Sequence, residues 1–408
     1  MKKTILLLAI FGLVGHLSAQ TLKVHCGQVT TTIPAVQAGD MAYSDGGTVL
    51  TMMNNVFAVN AIDSITVDRS EYKASEVRVN YAGSTAHVTV SGDVAPHMAI
   101  TVSAADVSVV ADALLQSEVV YELTGTSADG SFFMEGEYKA TLVLNNLTLT
   151  NQRGAAIDIQ NGKRIKVQLP DGTTTTLVDG AGGTHKACFF VNGHPEFCGG
   201  GALVLTGNTK HAFASDEYTL LEPGFGSITV NKAVGDGMNI EQYLRMQGGS
   251  ISIKGVQGDG IDVKVTNDPL DEENGNIFIE AGSIDLTVSA DDVKGIKCDN
   301  AMTITGGSIT ALVSGLGTKG ISTGTDLIIS QTGTTPTLVS MDVTGTTYMP
   351  GDALLESKCR GIKVKGNFTF DGGTIDISAT GAKTKAISVD GSYTYISGSI
   401  NCAVDANM

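Results

Sequence analysis

The chain has 408 residues, room for one large domain or two ordinary ones, and Gly fills 50 of them where roughly 7 % is usual. Apolar residues make up 42 % and charged residues 17 %, a balance that excludes a disordered chain. The formal charge of −16 argues against nucleic acid, which needs basic patches, and makes a divalent cation a natural companion for clustered aspartates.

The first 19 residues read as a secretory signal. Lys2 and Lys3 form the charged start, Ile5 to Val14 the short apolar run, and Leu17-Ser18-Ala19 the cleavage site. The run falls short of the about 20 apolar residues that span a bilayer. Cys26 in "KVHC" lacks the small residues that precede a lipid-modified cysteine. The expected destination is the periplasm, the cell surface or the medium. Residues 20–70 hold short strand signals such as "TVLTMM" and "NVFAVN" and are expected to form a small β leader or cap. The segment 103–117 fits neither the helical nor the strand period cleanly. Strand alternation is clear in "ATLVLNNLTLTNQRGAAIDIQNGKRIKVQL" (140–169), and "GGGALVLTGNTKHAFASDEYTLL" (199–221) resembles one copy of a repeat that is plainer toward the C-terminus.

From residue 235 the chain repeats. A charged residue, then Gly or Ala, then an apolar residue recurs at Asp236, Asp259, Lys294, Lys319, Arg360 and Lys385, with His211-Ala-Phe a looser copy upstream. A second marker, G-G-[ST] or its relic, has its second glycine at Gly249, Gly307, Gly373 and Gly398, in each case 13 residues after the first marker. The steps are 23, 35, 25, 41 and 25 residues, the long ones holding insertions at 267–275 and within 330–352. A period of 23 to 25 residues with three short alternating strands per copy signals an all-β solenoid for residues 71–408. The expected inward rows are Met238/Ile240, Ile261/Val263, Ile296/Cys298 and Ile362/Val364 in the first strand. Met302/Ile304 and Phe368/Phe370 supply the second, and Ile251/Ile253, Ile284/Leu286, Ile309/Ala311 and Ile375/Ile377 the third. Cys298 and Cys402 occupy inward positions and are expected as free core thiols. Cys188 and Cys198 are near enough in sequence to pair or to stay free, and no C-x-x-C supports zinc or redox chemistry.

The stretches "YELTGTSADGSFF", "ATLVLNNLTLTNQRGAAIDI", "LVLTGNTKHAFASDEY", "GDGMNI" with "MQGGSISI", and "ADDVKGIKCDNAMTITGGSI" together resemble a secreted bacterial carbohydrate-binding family, over roughly residues 118 to 402. That resemblance implies a right-handed parallel β-helix, similar in shape to pectate lyases, with calcium held at Asp-bearing corners. Typical members carry "A-D-D-G-I" at the corner. Here "VGDGMN" and "QGDGID" keep one Asp, and "SADDVKG" keeps both with two residues inserted.

Calcium takes six to eight oxygens, more than one Asp supplies, so aspartates from adjacent repeats are expected to share an ion. The candidates are Asp216, Asp236, Asp259, Asp262, Asp291 and Asp292. The alternative is that Asp serves only as a turn residue. Further on, the same slot turns basic, giving Lys294, Lys319, Arg360 and Lys385, with Lys297 and Lys363 beside them. Those cations suit uronate carboxylates, or else solvated pairing with Asp299, Asp371 or Asp376. Trp is absent, so an indole platform is excluded, while Tyr218, Tyr243, Tyr393 and Tyr395 are left to stack on sugar. The leading expectation is a non-catalytic, calcium-assisted binder of a pectin-like or other plant-type polysaccharide. A calcium-dependent polysaccharide lyase and a structural or adhesive solenoid are the alternatives.

Overall fold

The computed structural model describes residues 20–349, 351 and 356–404. The expected secretory signal, residues 1–19, lies outside the described residues. The chain divides into two compact units, one of residues up to 76 with 89–96 and the other of 77–88 with everything from 97 onward.

The first unit is antiparallel. Thr21–Cys26 pairs with Val29–Pro34 across a turn at Gly27, and also with Ser64–Asp68. Val49–Met52 and Asn55–Ala58 form a hairpin whose two turn residues, Met53 and Asn54, both have positive φ, the geometry that matches strand twist. Leu22, Val24, Ile33 and Met52 pack together as its core.

The second unit is built of parallel ladders. Ser131–Glu135, Ile157–Gln160, Ala187–Val191, His211–Ser215, Met238–Glu241, Ile261–Lys264, Lys294–Cys298, Lys319–Thr323, Arg360–Val364 and Lys385–Val389 pair in that order. Segment 103–117 resolves as the strand Asp106–Ala111, which pairs with Ser131–Glu135. Two further ladders collect the other strands. In one, Leu244, Ile277, Met302, Leu327 and Phe368 stand in register. In the other, Ile228, Ile251, Ile284, Ile309, Val339 and Ile375 do. Each ladder takes one strand from each repeat, so the repeat period read from the sequence is the spacing between rungs.

The inward rows fall as the alternation requires. Met238, Ile261, Ile296, Ile321 and Ile362 stack on one another and none is exposed to solvent. Further up, Phe189, Phe197 and Phe213 fill the interior with edge-on contacts at 5.4 to 6.4 Å. Cys298 is a buried thiol, its titration pushed up to about 12 chiefly by burial. Cys402 differs from expectation and is exposed: it stands in register with buried Ile377, but the described chain places no further strand beyond it. Cys188 and Cys198 are both free.

Because Phe213 is wholly buried among other rings, Phe213→Ala should cost about 3–5 kcal/mol in denaturant unfolding of the second unit. A loss below about 1 kcal/mol would mean that this interior is loosely packed.

Candidate functional site

The parallel register sets two columns of largely polar residues on the same sheet, one at the strand starts and one at the outward positions within the strands. Phe213, Met238, Ile261 and Ile296 are in register, so the residues two places earlier, His211, Asp236, Asp259 and Lys294, form one column. It continues directly through Lys319, Arg360 and Lys385. The second column runs Ala214, Asn239, Asp262, Lys297, Ser322, Lys363 and Ser388. Both columns turn from acidic to basic between the strands Ile261–Lys264 and Lys294–Cys298.

At the acidic end, Asp236, Asp259 and Asp262 each offer a carboxylate oxygen, and the three atoms lie within 4.8 Å of one another. Glycine permits this approach. A side chain at Gly258 would meet Asp236 Oδ1 at 2.3 Å, and one at Gly260 would meet the Gly295 carbonyl at 2.4 Å. Asp236 Oδ1 accepts the Asp259 amide at 2.8 Å, and Oδ2 accepts the Asn239 side-chain amide at 2.7 Å. His211 Nδ1 lies 3.0 Å from the Asp236 amide and 3.2 Å from Oδ2, so it accepts from the amide when bare and pairs with the carboxylate when protonated. Asp259 Oδ1 accepts the Lys294 amide at 2.7 Å. Asp262 is nearly buried, with Lys297 Nζ at 2.8 Å from Oδ1 and Lys264 Nζ at 3.3 Å from Oδ2.

These neighbours split the three acids. Burial works against the charge of Asp236, but His211, Asn239 and the Asp259 amide outweigh it and hold the carboxyl below its usual range. For Asp259, burial dominates, the Lys294 amide and charge oppose it, and the charges of Asp262 and Asp236 add to it, leaving the carboxyl at about 6. Burial lowers Lys297, yet the hydrogen bond and charge of Asp262, with Asp259 and Asp299 behind, carry it above its ordinary value. The cluster is therefore short of positive charge, and a cation at its centre would relieve it.

Of the six acids expected to hold metal, the structure gathers Asp236, Asp259 and Asp262. Asp216 stands apart because Ser215 is in register with Ile240, which places Asp216 at the far end of the strand from the Asp236 slot, where Lys186 takes its carboxylate. Asp291 caps a turn, accepting the Leu316 amide at 2.8 Å, and Asp292 accepts the Ser357 hydroxyl at 2.5 Å.

The basic column is assembled as expected, though its members are engaged unequally. Lys294 donates to the Asp292 carbonyl at 2.8 Å. Lys319 donates to the Gly317 carbonyl at 2.6 Å and to Ser357 Oγ at 2.7 Å, with Asp292 Oδ1 at 3.4 Å. Arg360 donates to the carbonyls of Cys359 and Lys383. Lys363 pairs with Asp390. Among the described residues, Arg360 and Lys385 have no carboxylate partner, although they occupy adjacent rungs. Of the expected acidic partners, Asp299 lies 3.8 Å from Lys297, and Asp371 accepts the Ser397 hydroxyl instead.

The tyrosine expectation changes. Tyr218 and Tyr243 stack face to face at 4.9 Å, with His194 at 4.7 Å from Tyr218 and the Phe278 edge against Tyr243. Their faces cover one another, so neither is a platform for a sugar ring. Tyr393 and Tyr395, on the last strand, are half exposed. Asn239, His211 and Lys264 complete the acidic site; His211 falls in the repeat's marker slot, while no motif in the sequence marks Asn239 or Lys264 as site residues. The shared 35-residue step from Asp259 to Lys294 and from Asp262 to Lys297 is the signal available for the Asp262–Lys297 pair.

Residues 111–403 match the family described as carbohydrate-binding domain-containing protein, and the chain belongs to it. A relative of the same description from Acetivibrio thermocellus is 28 % identical over 137 residues, which is 33 % of this chain and 42 % of that protein; the match thus spans less than half the relative's length. The fold is also similar to a polysaccharide lyase-like protein from C. thermocellum, solved as a gadolinium derivative. Identity is 22 %, coverage is 63 % of this chain and 98 % of that one, and the TM-score is 0.52.

The raised Asp259 carboxyl gives a pH signature. Its folded value of about 6 lies above the ordinary 3.8, so its favourable contribution is complete below about pH 4 and is lost as pH rises through 6. In chelator, Asp259→Asn should stabilise the protein at pH 7.5 by about 1–2 kcal/mol and leave it unchanged near pH 4. Equal effects at both pH values in thermal unfolding would contradict the assigned burial and charge crowding.

Proposed function

We propose that this protein binds an acidic, pectin-like polysaccharide without cleaving it, on one face of a right-handed parallel β-helix, after export from the cytoplasm. The observation that carries the reading is the basic column. Lys294, Lys319, Arg360 and Lys385 stack rung on rung, and Arg360 and Lys385 lack any carboxylate partner among the described residues. Stacked like charges repel, and a chain of uronate carboxylates offsets them. Rungs about 4.8 Å apart are close to the length of a sugar residue, so one extended glycan can meet several rungs. Family membership supports carbohydrate as the ligand class.

Calcium is proposed at Asp236, Asp259 and Asp262. Three carboxylates each bring an oxygen within 4.8 Å of the others, hard donors of the kind calcium takes. When bound, the ion supplies charge compensation and a bridge to sugar carboxylates. The Asp residues hold it, Asn239 and the backbone amides orient them, and Gly258 and Gly260 keep the corner open.

A lyase is the weaker reading. The lysine nearest the three acids, Lys297, is held above its ordinary value, the wrong direction for a group that must take a proton from a sugar carbon.

Affinity electrophoresis in polygalacturonate tests the proposal. The wild-type protein should be retarded, and Arg360→Ala with Lys385→Ala should weaken binding about tenfold and flatten its salt dependence. Release of unsaturated uronide, read by ultraviolet absorbance, would overturn the non-catalytic reading. Retardation only in neutral glucans would overturn the acidic one.

A further inference from the structure

We propose that Lys297 is a tethered counter-ion of the Asp236–Asp259–Asp262 cluster, displaced when a divalent cation enters and delivered by that displacement to the basic columns beside it. This inference rests on the calcium reading above.

Asp262 is the acid on which Lys297 rests. Its side chain is 5 % exposed, so its charge needs a partner in place at all times. Lys297, directly in register on the next strand, fills that role from Oδ1 at 2.8 Å, and Lys264 touches Oδ2 at 3.3 Å. A divalent cation held by Asp236, Asp259 and Asp262 competes for the oxygen that Lys297 occupies. An ammonium and a divalent ion a few ångströms apart repel strongly in this poorly solvated corner. One must leave, and Lys297, the closer of the two lysines on Asp262, has the freedom to do so: its side chain is 30 % exposed on a flexible four-carbon stem.

Where the ammonium goes matters for function. Along its own column lie Ser322 and Lys363, and in the neighbouring column the same strand carries Lys294. Released from Asp262, Lys297 extends the cationic face by one position toward the acidic end. Calcium occupancy and polyanion affinity are then coupled with positive sign, and by linkage a bound polyanion tightens calcium in return. Lys297 is thus a device that lowers calcium affinity in the empty protein and makes calcium a switch for the basic face.

The test uses calcium alone. Chelator-treated wild type and Lys297→Met, which keeps the apolar stem, are titrated calorimetrically with calcium chloride. In parallel, the wild type is labelled with an amine-reactive acylating reagent, with and without calcium, and modification at Lys297 is read by mass spectrometry. Lys297→Met should bind calcium about tenfold more tightly, because a tethered competitor is gone. Lys297 in the wild type should label several-fold faster with calcium, and in Asp262→Asn it should label fast under both conditions. Calcium binding to the wild type with equal or weaker affinity in Lys297→Met, together with unchanged labelling, would overturn the counter-ion role and leave the calcium site standing. No calcium uptake by either protein would overturn the calcium reading and this inference with it. The labelling arm uses the unaltered protein, so it decides the matter even if the Met variant folds poorly.

Discussion

Parallel pairing in register stacks each position of one repeat on the same position of the next, and the chemistry of this protein depends on that stacking. The apolar rows Met238, Ile261, Ile296, Ile321 and Ile362 are buried on both sides of each rung, which is what holds the register. A slip of one residue would turn that row outward and carry Asp262 and Lys297, the alternate positions of the same strands, inward. The core and the site are therefore one constraint seen from two sides. Asp236 and Asp259 are 23 residues apart because that is the length of the repeat between their strands.

Stacking like charges is costly, and the columns answer the cost in two ways. At the acidic end, burial and mutual repulsion push Asp259 up to about 6, while Lys297 and Lys264 sit on Asp262. At the basic end, Lys319 is surrounded by the Gly317 carbonyl, Ser357 and Asp292, but Arg360 and Lys385 have no carboxylate partner among the described residues. The least compensated charges lie at Asp259 and at the Arg360–Lys385 rungs. A cation at one and a polyanion at the other would each relieve what the chain leaves unrelieved.

Much of this was legible in the sequence. The markers starting at Asp236, Lys294, Arg360 and Lys385 located the rungs, and strict alternation named the inward rows correctly. Three features were not legible. Asp216, Asp291 and Asp292 look equivalent to the clustered aspartates because proximity to a Gly-rich corner is visible, whereas the strand end on which Asp216 falls depends on register, and the Leu316 amide and Ser357 hydroxyl that take Asp291 and Asp292 come from later turns. Tyr218 and Tyr243 looked available for sugar because rung spacing, which brings their faces to 4.9 Å, acts only once the ladder forms. The exposed Cys402 has the same origin: its inward position was readable, but the lack of a further strand on it among the described residues was not.

The central claim is that register gathers Asp236, Asp259 and Asp262 into one cation site at the head of a basic column. A crystal structure of the calcium-loaded protein, with the anomalous signal collected for the ion, tests it most directly. The account predicts a peak bonded to oxygens of all three aspartates at about 2.3 to 2.6 Å, the distance usual for calcium, with the Lys297 ammonium turned away from Asp262. A peak at Asp216 or at Asp291 and Asp292 instead, with Lys297 still on Asp262, would contradict it.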